Sequence, residues 1–221
     1  WVYRHNGNMR ALRKMVRHWD PGEGQFRWLL GGPSNRISRW AAAIKKDLEM
    51  GSRLDLVTAY FSPGQGLLRR IGGLSKRGGT SRLMLPGKTD NGATIGASRL
   101  LYGYLLKRRA RIFEYQPRRL HTKLVVVDDA VYIGSANFDL RSLFINVEMM
   151  LRIDDAGFAD HARTVIDMLE EKGERITPEL HRSRRTFLNR LRWTLSYFLV
   201  NTLDYRITRR FNFGSGNRPS E

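Results

Sequence analysis

The sequence predicts an α/β fold, and two observations carry that reading. From Phe26 to Tyr115, short apolar runs alternate with segments of helical spacing, the rhythm of βαβ units on a parallel sheet. From Leu120 to Ile153 the rhythm breaks, and three strand-like runs follow with no helix between them. That pattern describes a hairpin and a further strand joined to the same sheet. A third observation sets the scale: 221 residues, 41% hydrophobic and 10% aromatic, are enough to bury a core and exclude wholesale disorder.

Taken in order, residues 1–25 are basic and irregular, with Arg4, Arg10, Arg13, Lys14 and Arg17 ahead of Asp20-Pro21-Gly22-Glu23-Gly24. A short helix and a linker are expected there. Phe26 to Leu30 is an apolar run that stops at Gly31-Gly32-Pro33. Ser34 is placed to cap a helix reaching Met50, with Ile37, Trp40, Ala41, Ile44 and Leu48 on one face. Leu54 to Tyr60 reads as a strand, Gly66 to Lys76 as a glycine-interrupted helix, and Arg82 to Leu85 as a strand ending at Pro86-Gly87. A helix over Thr94–Lys107 and a strand over Arg111–Tyr115 follow. The three successive runs are Leu120–Asp128, Val131–Ser135 and Ile145–Ile153, and helical spacing returns over Phe158–Lys172. The division expected is a basic N-terminal segment (1–25), a catalytic domain (26–175) and an Arg-rich C-terminal tail (176–221).

Composition narrows the chemistry. There is no cysteine, which excludes a disulfide framework, a thiolate zinc site and a cysteine nucleophile. The net charge of +18 calls for a polyanionic partner, nucleic acid or an anionic membrane face. No stretch approaches the roughly 20 apolar residues of a membrane-spanning helix. The tail from His181 to Arg210 sets eight arginines against one acid, Asp204, a net +7. Within it Leu188, Leu191, Leu195, Phe198 and Leu199 fall at helical spacing, beside Trp193 and Tyr197. Such a helix suits an anionic bilayer interface through Arg190, Arg192, Trp193, Tyr197 and Phe198, or it packs its apolar side on the domain. Gly87-Lys88-Thr89 is not a P-loop, because Arg82 stands where that loop requires glycine.

The stretch that carries chemistry is Leu120 to Glu148. Side chains alternate along a strand, so His121 and Lys123 point one way, and so do Ser135 and Asn137 after the next strand. An imidazole, an ammonium, a hydroxyl and a carboxamide converge, which is a set of partners for a phosphate. Lysine and asparagine hold its oxygens, while histidine attacks phosphorus or shuttles a proton. Glu148, on the third strand, is positioned to accept a hydrogen bond from the other imidazole nitrogen and fix its tautomer.

At these residues the chain resembles the phospholipase D superfamily. Its HKD motif, His-x-Lys-x4-Asp followed by Gly-Ser-x-Asn, is matched by His121, Lys123, Asp128, Gly134, Ser135 and Asn137. Five residues separate Asp128 from Gly134, one fewer than is common in the family. Asn146-x-Glu148 matches the downstream acidic position. Gly31-Gly32-Pro33, Ala59-Tyr60-Phe61-Ser62-Pro63, Leu85-Pro86-Gly87-Lys88-Thr89-Asp90, Arg111-Ile112-Phe113-Glu114-Tyr115 and Asn137-Phe138-Asp139-Leu140-Arg141-Ser142 occur in order. They resemble the C-terminal half of bacterial cardiolipin synthases.

The resemblance implies a phospholipase D-like mixed sheet flanked by helices on both faces, and phosphatidyl transfer through a phosphohistidine. With phosphatidylglycerol as acceptor the product is cardiolipin, and with water it is phosphatidic acid. No metal or other cofactor is implied. The catalytic set is His121, Lys123, Asp128, Ser135, Asn137 and Glu148. Lys88 and Asp90 are expected to line the substrate pocket. Tyr60 and Phe61 are expected either to meet acyl chains or, for at least one of them, to pack in the core. The family site uses two HKD motifs, and the other histidines here, His5, His18, His161 and His181, have no lysine two residues on. The second motif is therefore expected from a half upstream of Trp1 or from a homodimer partner, with the chain alone inactive. In many two-motif members the first-half histidine is the nucleophile, which would make His121 the general acid and base. Peripheral association with the bacterial cell membrane, at its cytoplasmic face, is expected, and nucleic acid is the lesser partner. The competing readings are a homodimeric nuclease of the same superfamily and a non-catalytic binding module.

Overall fold

A computed structural model of the chain describes residues 8–33, 37–89 and 92–203. The central strand is β2 (Arg53–Val57), whose Leu54, Leu56 and Val57 are fully buried. It pairs in parallel with β4 (Thr80–Pro86), which pairs in parallel with β5 (Arg111–Tyr115). The connecting helices are α3 (Gln65–Lys76) and α4 (Gly92–Leu106), as βαβ units require. On its other side β2 meets β6 (Leu124–Val127), which turns through Asp128-Asp129 into β7 (Ala130–Gly134). Then come β9 (Glu148–Asp154) and β1 (Phe26–Gly31), every one of these pairings antiparallel. The far edge is β10 (Gly173–Ile176), antiparallel to β5. The order β1-β9-β7-β6-β2-β4-β5-β10 is a mixed eight-stranded sheet. A second, two-stranded sheet joins β3 (Phe61–Ser62) to β8 (Phe138–Asp139).

Strand alternation divides the core. Leu54, Leu56, Leu83, Leu85, Val125 and Val127 face one layer with Trp40, Ile44 and Leu48 of α2 (Arg39–Met50). Val57, Met84, Val126, Val131 and Ile153 face the other, covered by Ala159, Ala162 and Ile166 of α6 (Ala156–Glu170). Helices therefore lie on both faces of the sheet. The α6 face also buries charge. Asp55 accepts from Arg82 at 2.5 Å and from Arg163 at 3.2 Å, and Arg82 reaches on to Glu170 at 2.7 Å.

The α2 helix starts later than the sequence pattern predicts. Its cap is Ser38, whose hydroxyl accepts from the Ala41 amide at 3.3 Å; Ile37 precedes the helix and is 48% exposed. Ser34 lies outside the described residues. The predicted strand from Leu120 is ladder only from Leu124, and His121–Lys123 precede it. The predicted strand from Ile145 begins at Glu148, because α5 (Leu140–Phe144), capped by Asp139, intervenes. Ahead of β1, α1 (Met9–His18) buries Val16 against the sheet.

The chain ends in α7 (Pro178–Arg184), α8 (Phe187–Phe198) and a π-helical turn over Leu199–Leu203. Helices α4 and α8 meet backbone to backbone: a methyl group at Gly96 would sit 2.5 Å from Ser196 Oγ. Among the described residues no helix is long and apolar enough to cross a membrane.

Candidate active site

The topology brings the motif to one edge of the sheet. Strands β2 and β4 end there, at Thr58–Tyr60 and Gly87–Lys88. Because β6 runs against β2, its start lies at the same edge, with His121 and Lys123 just ahead of it. Antiparallel β7 delivers Gly134 and Ser135 there, and β9 begins there with Glu148. The approach at Gly134 is close enough that a Cβ would meet the Met149 carbonyl oxygen at 2.1 Å, so only glycine fits.

His121 is exposed, and among the described residues its imidazole has no hydrogen-bond partner. Lys123 is half-buried and its Nζ donates to the His121 carbonyl at 2.9 Å. Burial pushes the Lys123 ammonium below its ordinary range, while the charges of Glu148 and Asp139 pull it back up. Glu148 is buried and fully engaged: it accepts from Ser135 Oγ, from Ser142 Oγ at 3.0 Å and from Asn146 Nδ2 at 3.2 Å. Asn137 Oδ1 accepts from the Tyr60 amide at 3.3 Å. Burial raises the Asp139 carboxyl, against the Ser142 amide that donates to it at 2.8 Å. A free imidazole beside a cation whose charge two buried carboxyls sustain is equipped for a phosphodiester.

A family described as cardiolipin synthase, phospholipase D-like domain, matches residues 44–169, more than half of the chain. The chain belongs to that family. It is similar to the minor cardiolipin synthase ClsB of Bacillus subtilis, 35% identical over 153 residues, covering 67% of this chain and 38% of that protein. It is also similar to cardiolipin synthase A of Pseudomonas putida, 36% identical over 128 residues, covering 58% of this chain and 27% of that protein. The chain thus spans well under two thirds of these relatives. In fold it is similar to phosphatidylserine synthase of Haemophilus influenzae (TM-score 0.67, 15% identity, 93% of this chain and 53% of that one). It is likewise similar to Nuc of Salmonella typhimurium (TM-score 0.58, 15% identity, 69% of this chain and 99% of that one).

Within this phospholipase D-like domain not every expected residue reaches the site. Asp128 is the clearest correction to the expected catalytic set. It follows the far end of β6, roughly 16 Å of extended strand from Lys123. There it accepts from Ser52 Oγ at 2.9 Å and from the Arg53 amide at 2.9 Å. It holds the start of β2 at the opposite edge. Glu148 bonds Ser135, Ser142 and Asn146 in place of the expected His121.

Among the expected binding residues, Phe61 is core, stacked on Phe138 with ring centroids 6.2 Å apart, whereas Tyr60 lines a cavity beside Asn137. Lys88 is exposed at the same edge, and Asp90 lies outside the described residues. In the tail, Trp193 is 5% exposed and stacks on His181 at 5.6 Å, so its ring is unavailable to a bilayer in this fold. Tyr197 is half-buried, while Arg190, Arg192 and Phe198 are exposed.

Sequence reasoning assigned no role to Asp139, Ser142 or Asn146, which complete the shell around Glu148 and line the cavity. Their signal was their place directly after Asn137, within the block that resembles the family. Among the described residues no cluster of three or more His, Asp or Glu side chains is placed to hold a metal.

Proposed function

We propose that the chain supplies one half of a phosphatidyl-transferring active site of the cardiolipin synthase type. The observation that carries this reading is the convergence of His121, Lys123, Asn137 and the Glu148 shell at one sheet edge. In this reading a histidine attacks the phospholipid phosphorus and displaces the leaving alcohol, forming a phosphohistidine. The opposite histidine gives its proton to that alcohol, then takes one from the incoming alcohol. Lys123 and Asn137 neutralise and orient the phosphoryl oxygens. His121 acts as the general acid and base, and the nucleophile comes from a second HKD half. An uncovered apolar row supports the need for a partner. Trp28, Met149, Ile133 and Val147 are exposed on and beside the strands that lead to the site.

Phosphatidylglycerol and cardiolipin are the expected lipids, and association with the membrane is peripheral. Helix α8 supports this: Leu188, Leu191, Leu195 and Phe198 are exposed beside Arg190 and Arg192. The test is an assay of the full-length protein on phosphatidylglycerol vesicles and on plasmid DNA. Cardiolipin should form, and His121→Ala should reduce it by at least about a thousandfold. DNA nicking without lipid turnover would overturn the reading.

A further inference from the structure

A cavity of about 220 Å³ opens beside Asn137, walled by Tyr60, Ser62, Asp139, Leu140, Asn146 and Asn201 among others. It is continuous with the site through shared residues, because Asn137 belongs to the motif and Asn146 donates to Glu148. Two of its walls carry unmet hydrogen-bonding capacity. Ser62 is 2% exposed and Asn201 is 7% exposed. Among the described residues neither the Ser62 hydroxyl nor either amide atom of Asn201 has a partner. Buried polar atoms are almost always paired, so such groups point to a missing ligand or water. Asn201 is brought to the cavity by the π-helical turn that ends α8, a geometry that recurs at functional sites.

The chemistry of the wall selects the ligand. Hydroxyl and carboxamide groups both donate and accept, and so do alcohol hydroxyls, whereas an ionised phosphate only accepts and would leave the Asn201 oxygen unsatisfied. Asp139 and Arg141 stand on the same wall with opposing charges, so the cavity has no strong preference for an ion. Leu140 and Val200 offer an apolar side for a carbon chain. The volume is several times the roughly 30 Å³ share of one water.

We propose that this cavity is the subsite for the acceptor alcohol and that it takes a small uncharged polyol of the glycerol type. The inference rests on the phosphatidyl-transfer reading. In the transfer step the seated hydroxyl forms the new P–O bond as the P–N bond to histidine breaks, and its proton passes to the general base.

The test uses the full-length protein with Ser62→Ala and Asn201→Leu, each first checked for an unchanged melting profile. On phosphatidylglycerol vesicles, the ratio of cardiolipin to phosphatidic acid should fall at least tenfold in Asn201→Leu and less in Ser62→Ala. With free glycerol added as competing acceptor, its KM should rise in the same variants. A rise for free glycerol alone would assign the subsite to the soluble polyol, and a fall in the cardiolipin ratio alone to the lipid headgroup. Unchanged ratios and KM with normal wild-type turnover would overturn the subsite and leave the transfer reading standing. Should the wild type turn over no lipid, the transfer reading fails. The cavity is then judged by NMR of the asparagine side-chain amides during a glycerol titration. A saturable shift of the Asn201 signal supports a polyol site, and no shift overturns it.

Discussion

Asp128 stands in the sequence motif five positions after Lys123, yet its carboxylate bonds the Ser52 hydroxyl and the Ser52 and Arg53 amides at the opposite edge of the sheet. Its backbone is left-handed, with φ 48°, a conformation that Asp tolerates better than most residues. We therefore expect Asp128→Ala to lower the unfolding free energy by roughly 2–3 kcal/mol, as lost charge-assisted hydrogen bonds do. Lipid turnover per folded molecule should survive. Urea denaturation alongside the lipid assay measures both, and a stable but dead variant would return Asp128 to the catalytic set. His121 is the opposite case. It is exposed, and among the described residues its ring bonds nothing, so His121→Ala should leave the melting temperature unchanged while turnover is lost.

Helices α7 and α8 are joined by a titratable contact. His181 is buried between Tyr102 of α4, at 6.1 Å, and Trp193 of α8, at 5.6 Å. Burial, helped by the charge of Arg185, lowers its pKa below 6.5, and Glu114 opposes the shift. The unfolded chain thus takes up this proton at a higher pH than the folded one. The stabilisation is complete above about pH 6.5 and is lost as pH falls from there toward the lowered folded value. Melting temperatures between pH 7.5 and 5 should show that decline, and His181→Phe, which keeps a ring against Trp193, should flatten it. The outer face of α8 is a separate matter. Phe187 is 81% and Leu188 74% exposed, next to Arg190 and Arg192. Leu188→Asp with Leu191→Asp should cut co-sedimentation with phosphatidylglycerol vesicles at least tenfold, without changing the fold seen by circular dichroism.

At the scale of the molecule, the chain spans 38% of the length of one cardiolipin synthase relative and 27% of another. It carries one motif with an uncovered apolar row beside it. The proposal of a shared site therefore makes a whole-molecule prediction. The 221-residue chain by itself should bind anionic vesicles in a salt-sensitive way, given its charge of +18. It should release neither cardiolipin nor phosphatidic acid. Turnover by a chain shown to be monomeric by ultracentrifugation would refute the need for a second half.

Much of this was legible in advance, and the reason is local. Period-two and helical spacing follow from backbone geometry, so β2, α3, β4, α4 and β5 could be read from Leu54 to Tyr115 alone. The alternation rule also put Lys123 toward the same region as Ser135 and Glu148, because a tight hairpin leaves few choices of register. The sequence by itself determined the element order, the family motif and the basic charge. Tertiary structure decided what lies between distant segments. Strand length carried Asp128 to the far edge, and Ser135, Ser142 and Asn146 claimed the Glu148 carboxylate. The close crossing of Gly96 on Ser196 turned Trp193 inward and left the leucines of α8 outside. It also carried Asn201 to the cavity that Ser62 lines. Such meetings depend on helix crossings and sheet register, which no local period encodes.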